Sequence, residues 1–136
     1  MYQHGKIGSQ VVKYPMILGH ECSGEIVETG SSVKNLKVGD MVAVEPQYAC
    51  GRFEYCKAGR YNMCPDVFFM ATPPNNGAFA EYVTHRCDMV YKMPVNMDTI
   101  EGALIEPLAI GFNIASQAQA QLGQTVHIQA ADVLVL

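Results

Sequence analysis

Glycine and proline cut the first hundred residues into pieces that suit short strands better than long helices. Punctuation falls at Gly30-Ser31-Ser32, at Val38-Gly39-Asp40, at Pro46, along Thr72-Pro73-Pro74-Asn75-Asn76-Gly77 and at Pro94. Pro removes a backbone donor and fixes φ, while Gly supplies turn conformations and weakens regular elements. Four segments lie between these breaks: Ser23–Thr29 with Ile26 and Val27, Met41–Val44, Ala78–Thr84 and Met89–Lys92. Short strands at this spacing predict a small barrel or a pair of curled sheets, a mainly β unit.

The pattern changes near Asp98. Asp98-Thr99-Ile100-Glu101 has the layout of a capping box, with Asp at the N-cap and Glu three residues on. Ala103, Leu104, Leu108, Ile110, Phe112 and Ile114 follow at roughly helical intervals, and Pro107 within them predicts a kink or two helices that meet. Gly123 is a candidate stop, and Thr125-Val126-His127-Ile128 reads as one buried strand. A lone strand cannot make a sheet, so a second architectural unit is only begun.

With 136 residues, 49% of them apolar and 16% charged, the chain can bury one real core. A net charge of −4 without a Lys/Arg cluster argues against nucleic acid or an anionic membrane as partner. No apolar run of membrane-spanning length and no signal-peptide layout occurs, which predicts a soluble cytoplasmic protein. Cys50, Cys56 and Cys64 cluster, whereas Cys22 and Cys87 stand apart. Without an export signal such a cluster reads more naturally as a metal loop than as a disulfide framework.

His20 and Glu21 follow the apolar entry Pro15-Met16-Ile17-Leu18 and Gly19. Neutral imidazole and an adjacent carboxylate suit a zinc ion that keeps one position open, although His-Glu alone also fits a capped surface turn. Glu106 beside Pro107 fits either a metal-facing carboxylate or a helix-start residue favoured by the dipole.

Longer stretches decide between these readings. Pro-Met-Ile-Leu-Gly-His-Glu-Cys-Ser-Gly at 15–24 resembles the P-x-x-x-G-H-E-x-x-G signature of medium-chain zinc alcohol dehydrogenases, and Val38-Gly39-Asp40-Met41-Val42 resembles their V-G-D-R-V turn. Cys56-Lys57-x-Gly59-Arg60-Tyr61-Asn62-x-Cys64-Pro65 resembles their zinc-lobe loop. Ala71–Gly77 and Gly102–Leu108 resemble the sorbitol/xylitol (polyol) branch. The resemblance implies a GroES-like catalytic barrel over residues 1–104. Residues 105–136 would then be the connecting helix and first strand of an incomplete Rossmann α/β domain.

It also implies roles: His20 as zinc ligand, Glu21 as ligand or close neighbour, Glu106 facing the metal and the substrate hydroxyl, and Phe69 and Thr72 on the substrate-pocket wall. The expected reaction is oxidation of a small polyol to a ketose, with zinc and NAD as cofactors and NADP as the other possible acceptor. Homo-oligomers would be expected only of the full-length enzyme. Cys22 would be a packed thiol, and Cys87, His4, His85 and His127 match no ligand position.

Three departures set further expectations. The family's first zinc ligand, a Cys in a C-G-S-D-V-H segment, has no counterpart before Met1. The structural zinc loop, normally C-x2-C-x2-C-x7-C, here runs Cys50-x5-Cys56-x7-Cys64 with Phe53 at the second position, leaving Cys50, Cys56 and Cys64 as ligands of a weakened site. The dinucleotide fingerprint has Ala130, Asp132 and Val135 where glycines let backbone N–H groups approach the pyrophosphate. The expectation is a partial catalytic domain without activity of its own, set against a non-catalytic GroES-like binding module.

Overall fold

The computed structural model describes residues 4–129. Its strands are β1 (Lys6–Ile7), β2 (Gln10–Val11), β3 (Ser23–Glu25), β4 (Met41–Val44), β5 (Gln47–Tyr48), β6 (Phe68–Phe69) and β7 (Val90–Lys92). They pair antiparallel into sheets β1-β2, β3-β4-β7 and β5-β6. The central sheet sets Gly24 against Val42 and Ala43 against Tyr91. Val42, Ala43 and Met93 bury there, and Leu36, Met70 and Ala71 complete a small core.

Strand β3 is shorter than the predicted segment Ser23–Thr29. Beyond Glu25 the pairing continues for one residue, as Ile26 N–H donates to the Asp40 carbonyl at 3.0 Å and Gly39 N–H donates to the Ile26 carbonyl at 2.8 Å. Asp40 carries the turn. Its carboxylate, 6% exposed, accepts from Lys92 Nζ at 2.6 Å and from Lys37 N–H at 3.1 Å. The Lys92 ammonium holds that carboxyl below its usual range, with the Lys37 N–H acting in the same direction.

Two predicted strands are corrected. Ala78–Thr84 forms no regular strand, because only its first two residues find backbone partners and Ala80 N–H then turns back to the Ala78 carbonyl. A groove of about 810 Å³ separates the rest of this segment from the β3-β4 face. Thr125–Ile128 is likewise irregular, with Val126 62% and Ile128 50% exposed. A strand is a pairing rather than a local property, and this segment pairs with none of the strands among the described residues. Ala130, Asp132 and Val135 lie outside the described residues.

The capping box forms as predicted. Asp98 Oδ1 accepts from Glu101 N–H at 2.8 Å and Glu101 Oε2 accepts from Asp98 N–H at 2.9 Å, which starts the helix Thr99–Ala103. That helix is α2, following the single turn α1 (Glu54–Lys57), and α3 spans Ile105–Gln117. Leu104 caps both α2 and α3, so the break falls three residues before Pro107. The reason is that Pro is tolerated in a first helical turn but not deeper. Gly102 lets α2 lie on the sheet, since a Cβ there would sit 2.9 Å from Ser23 Cβ, and Ser23 Oγ donates to the Thr99 carbonyl at 2.5 Å. Gln119 (φ 52°) takes the left-handed conformation just beyond α3, and Gly123 (φ 86°) takes it again four residues later. No helix among the described residues is long and apolar enough to cross a membrane.

Glu45, between β4 and β5, accepts from Tyr61 Oη at 2.8 Å and from Tyr91 Oη at 3.0 Å. The bond to Glu45 pushes the Tyr61 phenol up to about 12. A raised folded value means this stabilisation is complete below the unfolded phenol value of about 10 and is lost as pH rises through about 12. Urea midpoints of the parent chain should therefore fall more steeply across that alkaline window than those of Tyr61→Phe. Parallel profiles would show that Tyr61 does not carry the effect.

Candidate metal and substrate site

Residues from two distant parts of the chain meet at one point. Potential ligand atoms of His20, Glu21 and Glu106 all lie within 4.8 Å of one another. His20 and Glu21 stand just before β3, while Glu106 occupies the first turn of α3. The loop ahead of His20 is held from the side by residues 76–79. Asn76 Oδ1 accepts from Ile17 N–H at 2.9 Å, Gly77 N–H donates to the Ile17 carbonyl at 2.8 Å, Ala78 N–H to the Gly19 carbonyl at 2.7 Å, and Phe79 N–H to the Leu18 carbonyl at 2.9 Å. Gly19 has φ +86°, a conformation a side chain would strain, so the chain can turn there and deliver His20 inward.

His20 is half-buried with the Phe69 ring set edge-on to it, centroids 5.2 Å apart at 69°. Thr72 belongs to the same turn as Phe69, its N–H donating to the Phe69 carbonyl at 3.3 Å. Thr72 is half-buried, and its hydroxyl makes no hydrogen bond among the described residues. Half-burial pushes the Glu106 carboxyl up; the Glu21 carboxylate adds to this, while the His20 ring opposes it. One imidazole and two carboxylates with an accessible side are a donor set that fits zinc with an open position.

A second convergence joins Cys50, Cys56 and Cys64, whose sulfurs lie within 4.8 Å of one another. Cys64 Sγ is 3.6 Å from Cys50 Sγ, and Arg52 N–H donates to Cys50 Sγ at 3.4 Å. That N–H holds the Cys50 thiol down to about 7, whereas burial pushes the Cys64 thiol up. Phe53, at the N-cap of α1 and 39% exposed, brings no donor, and Glu54 next to it is exposed. Three thiolates are one ligand short of a closed tetrahedral zinc site.

Cys22 and His85 lie outside both clusters. Burial pushes the half-buried Cys22 thiol up, as suits a packed sulfur. His85 Nε2 donates to the Glu45 carbonyl at 2.8 Å and burial lowers its pKa, so it supports the β5 edge. The sequence reading missed the clamping role of Asn76 and Gly77. An Asn-Gly pair signals a turn, but nothing local says which distant backbone that turn will grip.

Residues 1–95 match the alcohol dehydrogenase GroES-like domain. The chain belongs to that family, and the fold is the GroES-like one. It is 54% identical over 127 residues to sorbitol dehydrogenase of Bacillus subtilis (strain 168), covering 93% of this chain and 36% of that protein. It is 47% identical over 130 residues to sorbitol dehydrogenase of Bos taurus, covering 96% of this chain and 36% of that protein. Among solved structures, an Escherichia coli oxidoreductase/dehydrogenase of unknown specificity superposes with a TM-score of 0.77 at 49% identity, covering 82% of this chain and 33% of that one. The chain thus spans about a third of the length of these relatives.

Proposed function

We propose that this chain supplies the metal and substrate site of a zinc-dependent, nicotinamide-linked polyol dehydrogenase of the sorbitol/xylitol type. The convergence of His20, Glu21 and Glu106 carries this reading, because a scaffold has no physical need to gather two carboxylates and an imidazole. His20 holds the metal through nitrogen and Glu21 through a carboxylate oxygen or a bridging water. Zinc bound there would act as a Lewis acid on a substrate hydroxyl. Glu106, whose carboxylate lies within reach of the His20 and Glu21 ligand atoms, accepts the proton that this hydroxyl gives up. Phe69 fixes the His20 ring and keeps water from that side, and the Thr72 turn forms the pocket wall. A carboxylate-rich site suits a polyol, since several hydroxyls need partners once desolvated.

The division into a catalytic unit at 1–104 and a cofactor-domain start at 105–136 belongs to the same reading. NAD, or NADP, would supply the hydride acceptor. Ala130, Asp132 and Val135 do not fit a pyrophosphate cradle, so these 136 residues by themselves are expected to bind neither dinucleotide well and to show no turnover. Phe53 and Asp132 favour a second reading, a non-catalytic GroES-like module.

A chain carrying these residues ahead of a complete dinucleotide-binding domain, assayed with sorbitol, xylitol and ethanol, should oxidise the polyols in preference to ethanol. Glu106→Gln should lower kcat by about 100-fold with zinc content unchanged. Equal rates on all three alcohols would overturn the polyol assignment, and an unaffected kcat would overturn the role of Glu106.

A further inference from the structure

We infer that Cys50 and Cys64 form a reversible thiol–disulfide site in the place where the family resemblance implies a structural zinc. Phe53 leaves the lobe without the thiolate that would close a zinc tetrahedron, and no other donor joins Cys50, Cys56 and Cys64 among the described residues. What remains is a close pair. The Cys64 and Cys50 sulfurs are 3.6 Å apart, so a small side-chain rotation brings them to bonding distance. The pairing is braced from outside, because Arg52 Nη2 donates to Asp66 Oδ2 at 3.3 Å and ties the segment after Cys50 to the one after Cys64.

Access assigns the order of events. Cys64 is 4% exposed, whereas Cys50 is only half-buried in the loop ahead of the exposed residues 51–54. A low-molecular-weight disulfide such as oxidised glutathione therefore meets Cys50 first. The Cys50 thiolate attacks one of its sulfurs and expels one thiolate, leaving a mixed disulfide on Cys50. Cys64 then gives up its proton and attacks the Cys50 sulfur, expelling the second thiolate. Two electrons pass from the protein dithiol to the small disulfide, which leaves as two thiols. The bond closes a loop between residues 14 apart in sequence and fastens α1 and the turn Tyr61–Met63 between its ends.

The test uses the purified reduced chain treated with oxidised glutathione, followed by alkylation of the remaining thiols and peptide mass analysis. The expected product is a peptide pair joined at Cys50 and Cys64, reversed by dithiothreitol, with Tm higher in the oxidised form. Cys50→Ser and Cys64→Ser should each abolish it, whereas Cys56→Ser and Cys22→Ser should not. Metal analysis of the parent in parallel should show no zinc that depends on Cys50. Zinc lost on Cys50→Ser, a cross-link through Cys56, or five alkylated cysteines after oxidation would each overturn the proposal. His20→Ala should leave the cross-link unchanged, so the outcome is separable from the dehydrogenase reading.

Discussion

His20→Ala is expected to cost the purified chain at least about 100-fold in zinc affinity, read by titration with a competing chelator and by metal analysis. His20 is the only nitrogen ligand in the cluster, and the two carboxylates left behind would face each other without a cation between them. Glu21→Gln should have a smaller effect, because an amide oxygen can still ligate although the charge is lost. Thermal unfolding of His20→Ala without metal should stay cooperative and near that of the parent, since the ring is only half-buried and its described packing is one edge contact with Phe69. Unchanged zinc affinity in His20→Ala would sink the metal site. A parent chain that binds no zinc yet unfolds cooperatively would instead support the non-catalytic module.

The second large effect is expected at a residue that touches no ligand. A Cβ built on Gly77 would lie 2.6 Å from the Leu18 carbonyl carbon and run into the carbonyl oxygens of Leu18 and Gly19. These are backbone atoms, with no side chain to swing aside, and relief requires separating residues 76–79 from 17–19. Overpacking together with the loss of several hydrogen bonds predicts a destabilisation on the order of 3 kcal/mol for Gly77→Ala. In a chain of this size that corresponds to a drop in Tm of roughly 10 °C. Because the same backbone carries His20, zinc affinity should fall along with stability. Gly19→Ala is the useful comparison: the three atoms nearest its Cβ all belong to the Phe79 ring, which is 79% exposed and free to move, so its cost is mainly that of φ +86°. A Gly77→Ala chain as stable as the parent would show that the approach of the two segments relaxes freely.

Several elements were legible because they depend on neighbours in sequence. The capping box at Asp98 and Glu101 is one turn of helix long, and Met41–Val44 is an apolar strand bounded by its own turn and Pro46. The motif around Gly19-His20-Glu21 and the cysteine loop were visible for the same reason. The strands expected at Ala78–Thr84 and Thr125–Ile128 failed because apolar content says that a segment can pair, not that an edge awaits it.

By itself, then, the sequence determined the short-strand architecture, the family signature and the residue types available for chemistry, since these are set by local conformation and by the donors each side chain carries. Only the tertiary structure decided which of them meet. It brought Glu106 across more than eighty residues of sequence to His20 and Glu21, and it set Gly77 against the backbone of Leu18 and Gly19. It also left Cys50 and Cys64 in contact with Phe53 beside them, because long-range contacts arise from burial and backbone pairing that no short stretch encodes.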